Sequence, residues 1–270
     1  MRYYKRLPLE TLSNARDLGG YPTDGGMTRY GVFVRTEVPK ALTENDIRFL
    51  QEYGITMSLD LRGVKESEDL PSKLICVPGH RYELSPMFDT EAAKASPDAG
   101  DKGGKEVPPP QNPKTAGPGE DSPFDMDWTP VYINMLERGK GWMKHNLELA
   151  AECEGGMLFH CFTGKDRTGC FSALLLGLCG VSTPDIIGDY SLSMSFLRPF
   201  YADMPGDPFF VDEEGKPDFS RGFYRTAPET MERTVNYLEK TYGSITDYVR
   251  ACGVSEETIE KIREKFIEKF

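Results

Sequence analysis

Long apolar runs are missing from this sequence: the best candidate, residues 171–179, falls far short of the roughly 18 to 20 residues that cross a bilayer. The opening residues MRYYKRLPLE lack the apolar centre of a secretory signal. Six cysteines are thinly spread and form no C-x-x-C pair, which excludes a zinc site or redox dithiol readable from sequence and fits reduced thiols. Positive charge is also short. With 32 Lys+Arg against 43 Asp+Glu the net charge is −11, so no basic stripe stands out to neutralise duplex phosphates. No internal repeat is visible. These absences lead us to expect a soluble, cytoplasmic protein with no nucleic-acid partner, no integral membrane association, no metal and no cofactor; any anionic ligand must be held by a local pocket.

What is present is enough apolar material for a full core, 39% of 270 residues, and we read residues 1–270 as a single domain. Residues 90–123 stand apart. They hold 7 Pro and 5 Gly in 34 positions with no aromatic residue, too little to offset ordering entropy, so a mobile surface insertion is expected there. Elsewhere strands and helices alternate, which predicts an α/β fold with a central, mainly parallel sheet flanked by helices. Strands are predicted at 32–35, 55–61 and 157–160, with weaker ones at 74–77 and 82–84. Thr43 and Asp46 form a capping-box pattern, and Ser182 or Thr183 and Ser255 start further helices, the last carrying Ile259, Ile262, Phe266 and Phe270 at near-helical spacing. A helix over 131–152 is interrupted near Gly139. Residues 196–224, rich in aromatics among Pro and Gly, read as core or as a lid over a site.

The chemistry sits in His160 to Gly169, HCFTGKDRTG, between the strand at 157–160 and an apolar helix at 168–179. Successive amides of Phe162, Thr163, Gly164, Lys165, Asp166 and Arg167 can curl into an anion nest, and the helix points its positive end at the same place. Arg167 offers a planar fork for phosphate that Lys could not reproduce. Such a field stabilises a Cys161 thiolate, a nucleophile aimed at phosphorus. Thr168 either bonds the leaving sulfur or caps the helix, His160 orients the loop, and Lys165 adds charge at the rim. The proton donor to the leaving group is Asp166 or Asp89, with Asp125 and Asp127 as decoys.

Together with NARDLGGY at 14–21, DLR at 60–62, DY at 189–190 and TYGSI…YVR…GVS at 241–255, the loop resembles the atypical bacterial tyrosine phosphatases. That resemblance implies one cysteine-based phosphatase domain acting on phosphotyrosine, phosphoserine, phosphothreonine or phosphoinositides and releasing inorganic phosphate. It implies Cys161 as nucleophile, Arg167 as phosphate clamp, Asp166 as the acid in the loop and Lys165 as the residue suited to extra phosphates, and it places Asn14, Arg16 and Asp17 near the site, where Arg16 and Asp17 either brace the loop or fold the N-terminus. A phosphate-binding module without turnover is the competing reading.

Overall fold

The computed structural model describes residues 2–87, 127–202, 214–216 and 224–270. The insertion at 90–123, Asp89 and Asp125 lie outside them. In chain order the strands are β1 (Arg16–Asp17), β2 (Pro22–Thr23), β3 (Gly26–Thr28), β4 (Phe33–Thr36), β5 (Ile55–Asp60), β6 (Arg81–Leu84), β7 (Gly156–His160) and β8 (Ile267–Lys269). The helices are α1 (Glu44–Glu52), α2 (Val64–Asp69), α3 (Thr129–Arg138), α4 (Lys140–Glu152), α5 (Arg167–Leu178), α6 (Thr183–Phe196), α7 (Arg198–Ala202), α8 (Pro228–Tyr242), α9 (Ile245–Ala251) and α10 (Glu256–Phe266).

One sheet runs β1-β4-β7-β5-β6, with β4, β7, β5 and β6 parallel and only β1 antiparallel. Helices flank it, as the α/β reading expects. Alternation along each strand fills both faces. Phe33, Met157 and Phe159 pack into the larger core with α3, α4, α5, α9 and α10, while Val34 and Leu158 pack with Leu7, Leu12, Leu50 and Leu74. A sheet buried on both faces opens for a ligand at the carboxyl ends of its strands. Register brings three of those ends level: His160 pairs with Thr36 of β4 and with Asp60 of β5. The HCFTGKDRTG segment begins at that point.

Local chemistry explains most of the elements. The Thr43 side chain accepts from the Asp46 amide in a capping box, Ser182 and Ser255 cap α6 and α10, and the break between α3 and α4 falls at Gly139. Two expectations change. Residues 74–77 are not a strand: Lys73–Cys76 form a 3-10 turn capped by Ser72, because β6 already occupies the edge of β5 and Leu74 is drawn into the core. The last helix does not run to Phe270. It stops at Phe266, and β8 joins β3 and β2 in a small antiparallel sheet that ties the C-terminus to the N-terminal segment.

Candidate active site

The loop from Cys161 to Asp166 is defined by where its carbonyls go. The His160 carbonyl accepts from Leu61 N at 2.8 Å, and Cys161 O lies 2.9 Å from His160 Nδ1. Phe162 O accepts from Val38 N at 2.9 Å, Thr163 O from Asn14 Nδ2 at 3.3 Å, and Gly164 O from Arg35 Nη2 at 2.9 Å and Asn14 Nδ2 at 3.3 Å. Every one of these acceptors is turned into the scaffold. In a planar trans peptide the N–H points opposite its C=O, and no peptide here is cis. The N–H groups that follow Cys161, Phe162, Thr163 and Gly164 are therefore turned the other way, to the concave side. Among the described residues, no acceptor takes the amides of Phe162, Thr163, Gly164, Asp166 or Arg167. Donors left this way at the start of a helix make an anion site.

Gly164 makes the turn possible. Its φ is +71°, and a Cβ there would run into the Thr36 carbonyl and lie 2.6 Å from Glu37 N. Behind it stands a buried ionic cluster. Arg35 pairs with Asp189, and Arg16 donates to the Asp189 carbonyl at 2.9 Å, to Ser193 Oγ at 3.0 Å and to Asn14. Burial alone would raise the Asp189 carboxyl, but Arg35 and Arg16 hold it at about 2. Glu37, also buried, accepts from Ser13 N at 2.6 Å and Asn14 N at 3.0 Å, fixing Asn14 against the loop.

Arg167 begins α5. Its Nη1 and Nη2 donate to Glu66 of α2 at 2.6 and 2.9 Å, and Nη1 also reaches Leu61 O at 3.4 Å. Burial opposes its charge, yet the Glu66 bonds and the charge of Cys161 hold the guanidinium above its ordinary range. Of its five N–H donors, Glu66 and Leu61 use three. Among the described residues nothing takes the edge formed by Nε and the second Nη2 hydrogen, the edge that suits a bidentate oxyanion.

The sequence-assigned residues that fall among the described ones each have a place. Cys161 is buried at the end of β7. His160 is buried, and its Nδ1–H donates to the Cys161 carbonyl; burial, against the pull of Asp60, pushes its pKa below the usual imidazole value. Asp60 is gripped by Arg62 and by Tyr82 at 2.8 Å, which fixes the Leu61 backbone that touches both His160 and Arg167. Thr168 is buried with Oγ1 unpartnered among the described residues, so it does not cap the helix. Asp166 Oδ1 accepts from Tyr132 at 2.5 Å and from Lys165 Nζ at 2.7 Å.

Lys165 is not at a rim. Its side chain is fully buried, with Nζ on Asp166 and 4.5 Å from the Trp128 ring. Asp17 does not brace the loop: its carboxylate takes Gly19 N and Gly31 N at 2.7 Å and Tyr53 at 2.8 Å, and so shapes the N-terminal segment. Arg16 acts on the loop through Asn14 and Asp189. Asp127 is spent on Thr129 N at 2.9 Å and Arg233 at 3.0 Å. Of the aromatic stretch 196–224, Phe200, Tyr201 and Tyr224 pack with Val38 and with Phe162 of the loop; residues 203–213 and 217–223 lie outside the described residues.

The model of the tyrosine phosphatase family matches residues 7–268. The chain belongs to that family. It is thus a phosphatase, of the protein-tyrosine phosphatase class. A tyrosine-protein phosphatase of Nostoc commune is 27% identical over 237 residues, covering 86% of this chain and 72% of that protein. The triple specificity protein phosphatase PtpB of Mycobacterium tuberculosis is 32% identical over 118 residues, 40% of this phosphatase and 42% of PtpB. A solved structure, TpbA of P. aeruginosa, aligns with 12% identity and a TM-score of 0.34 over 87% of this chain and 97% of its own. Residues that sequence reasoning passed over are Arg35, Glu66, Tyr132 and, as a working part of the site, Asp189. A charged residue inside the apolar run Phe33–Val34–Arg35 was the available signal, since an Arg is almost never fully buried unless paired. Among the described residues no helix is long and apolar enough to cross a membrane, and no His, Cys, Asp or Glu cluster could hold a metal.

Proposed function

We propose that this phosphatase hydrolyses phosphomonoesters through a phosphocysteine intermediate, with phosphotyrosine proteins as its main substrates and phosphoserine and phosphothreonine proteins within its range. The observation that carries the reading is the loop whose carbonyls all face the scaffold, leaving its amides and one edge of Arg167 for a phosphate dianion beside Cys161. Binding alone would not require a thiol there.

The Cys161 thiolate attacks phosphorus, the bond to the leaving oxygen breaks, and Asp166 delivers a proton to that oxygen. Water then attacks the phosphocysteine, giving its proton back to Asp166, and the phosphorus–sulfur bond breaks. Amides and Arg167 neutralise the equatorial oxygens in both steps. The buried, unpartnered Thr168 hydroxyl is the group at hand to bond the departing sulfur. The triple specificity in the name of the mycobacterial relative supports the wider range. Against a phosphoinositide preference stand the net charge of −11, which disfavours an anionic membrane, and the engagement of Lys165 by Asp166 and Trp128, which removes the cation proposed for extra phosphates.

The test is a substrate panel of phosphotyrosine and phosphothreonine peptides and phosphoinositide vesicles with wild type and Cys161→Ser. Turnover of the peptides, absent in Cys161→Ser while vanadate still binds, is expected. Hydrolysis retained by Cys161→Ser, or turnover confined to the vesicles, contradicts the proposal.

A further inference from the structure

We infer that Tyr132, backed by Tyr190, is a positioning residue that presents Asp166 to the leaving group with Oδ2 as its proton-bearing oxygen. The inference rests on Asp166 being the acid and adds what aims it.

The first observation is a side chain in the wrong place for its position. Asp166 is the N-cap residue of α5, where an Asp ordinarily accepts the amide two or three residues on and contributes to helix stability. It makes no such bond. Instead Oδ1 is held by two buried donors on separate elements, Tyr132 Oη of α3 at 2.5 Å and Lys165 Nζ of the loop at 2.7 Å. Tyr190 Oη of α6 lies 2.8 Å from Tyr132 Oη. Since Tyr132 spends its proton on the carboxylate, Tyr190 donates to Tyr132, and the three groups form one directed chain.

Oδ2, in contrast, takes no hydrogen bond from any described residue, and the Asp166 side chain is 27% exposed. A carboxyl with two donors on one oxygen can carry a proton only on the other. The chain of phenols thereby decides which oxygen is the acid and which way it faces. Both phenols are buried, and burial together with the Asp166 charge pushes their pKa values up, so they remain donors while the site works.

The packing is built to admit this chain. Tyr190 lies against the first turn of α5, where a Cβ on Gly169 would come within 3.0 Å of its ring. The Tyr132 and Tyr190 rings meet edge to face with centroids 6.0 Å apart, and Trp128 tilts against Tyr132 at 6.4 Å. The rings hold without their hydroxyls, so Tyr→Phe variants isolate the polar chain from the packing.

The experiment compares phenyl phosphate, whose leaving group needs a proton, with p-nitrophenyl phosphate, whose leaving group needs one less, for wild type, Tyr132→Phe, Tyr190→Phe and Asp166→Asn. Losing general-acid help costs about 100-fold or more where the proton matters. Asp166→Asn is expected to reach that on phenyl phosphate, with Tyr132→Phe losing about 10-fold in kcat on phenyl phosphate and under about 3-fold on p-nitrophenyl phosphate, at unchanged KM and vanadate inhibition. Tyr190→Phe should follow in the same direction with a smaller loss. If both Tyr→Phe variants fold and match wild type, or lose both substrates equally, while Asp166→Asn still discriminates, the positioning role is wrong and the acid assignment stands. If Asp166→Asn does not discriminate, the acid assignment itself falls and the inference with it.

Discussion

Replacing Gly164 by Ala attacks the phosphate cradle at the atom where the fold leaves least room. At φ +71° an added Cβ carries the left-handed backbone cost of about 1–2 kcal/mol. It would also overlap the Thr36 carbonyl and sit 2.6 Å from Glu37 N, both backbone atoms of the sheet's end and unable to yield as a flexible side chain could. The loop must therefore back away from β4 by something on the order of 1 Å, judged against ordinary contacts of about 3.5–4 Å. Its carbonyl then loses the charged bond from Arg35 Nη2, now 2.9 Å, worth about 1.5–3 kcal/mol. Strain and the lost bond together come to about 2.5–5 kcal/mol, a fall in melting temperature on the order of 10 °C. Because the displaced atoms carry the amides around Cys161, kcat/KM should fall about 100-fold, the usual cost of misplacing a reacting geometry by that distance. Calorimetry and p-nitrophenyl phosphate kinetics on the purified variant read both numbers. A variant that melts with wild type and turns over within threefold of it would refute the idea that Gly164 is what seats the loop.

Glu66→Gln should leave stability within about 1 kcal/mol, since the pair with Arg167 is partly exposed, yet weaken vanadate inhibition about 5- to 10-fold because the guanidinium loses its orienting carboxylate; an unchanged inhibition constant rejects that orienting role. Asp189→Asn leaves buried Arg16 and Arg35 without their counter-charge and should cost about 3–5 kcal/mol at neutral pH by urea denaturation. The same carboxylate gives a pH signature. Its folded value of about 2 lies below the ordinary Asp value, so its contribution is present above about pH 4 and is lost as pH falls toward 2. The stability of wild type should drop across that window more steeply than that of Asp189→Asn, and parallel curves would show that the cluster is not what holds the carboxyl down.

What could be read from sequence was whatever depends on neighbours along the chain. The strand, loop and helix around HCFTGKDRTG, the capping box at Thr43 and Asp46, and the helix break at Gly139 are local events, and local residue types decide them. The contacts that make the loop a site are not local. Arg35 meets Gly164 across 129 positions and Glu66 meets Arg167 across 101, pairings that only the β4-β7-β5 register brings about. Sequence suggests a rim position for Lys165; Asp166 and Trp128 draw it inside. Asp17 stands next to Arg16 in sequence but points to the opposite side of β1, as strand alternation requires, and so serves Gly19, Gly31 and Tyr53 rather than the loop. Residues 74–77 carried a strand's composition, but Ser72 offered a cap and β6 had taken the edge.

The central claim, that a sulfur set among inward amides captures phosphorus, is tested most directly by trapping the adduct. Enzyme mixed with excess phosphotyrosine peptide is quenched within milliseconds and digested, and the peptide containing residue 161 is weighed by mass spectrometry. The account predicts one added phosphoryl group on Cys161 in wild type, accumulating when Asp166→Asn slows its hydrolysis and absent from Cys161→Ser. Steady turnover in wild type and Asp166→Asn with no phosphoryl group on that peptide at any quench time would contradict it.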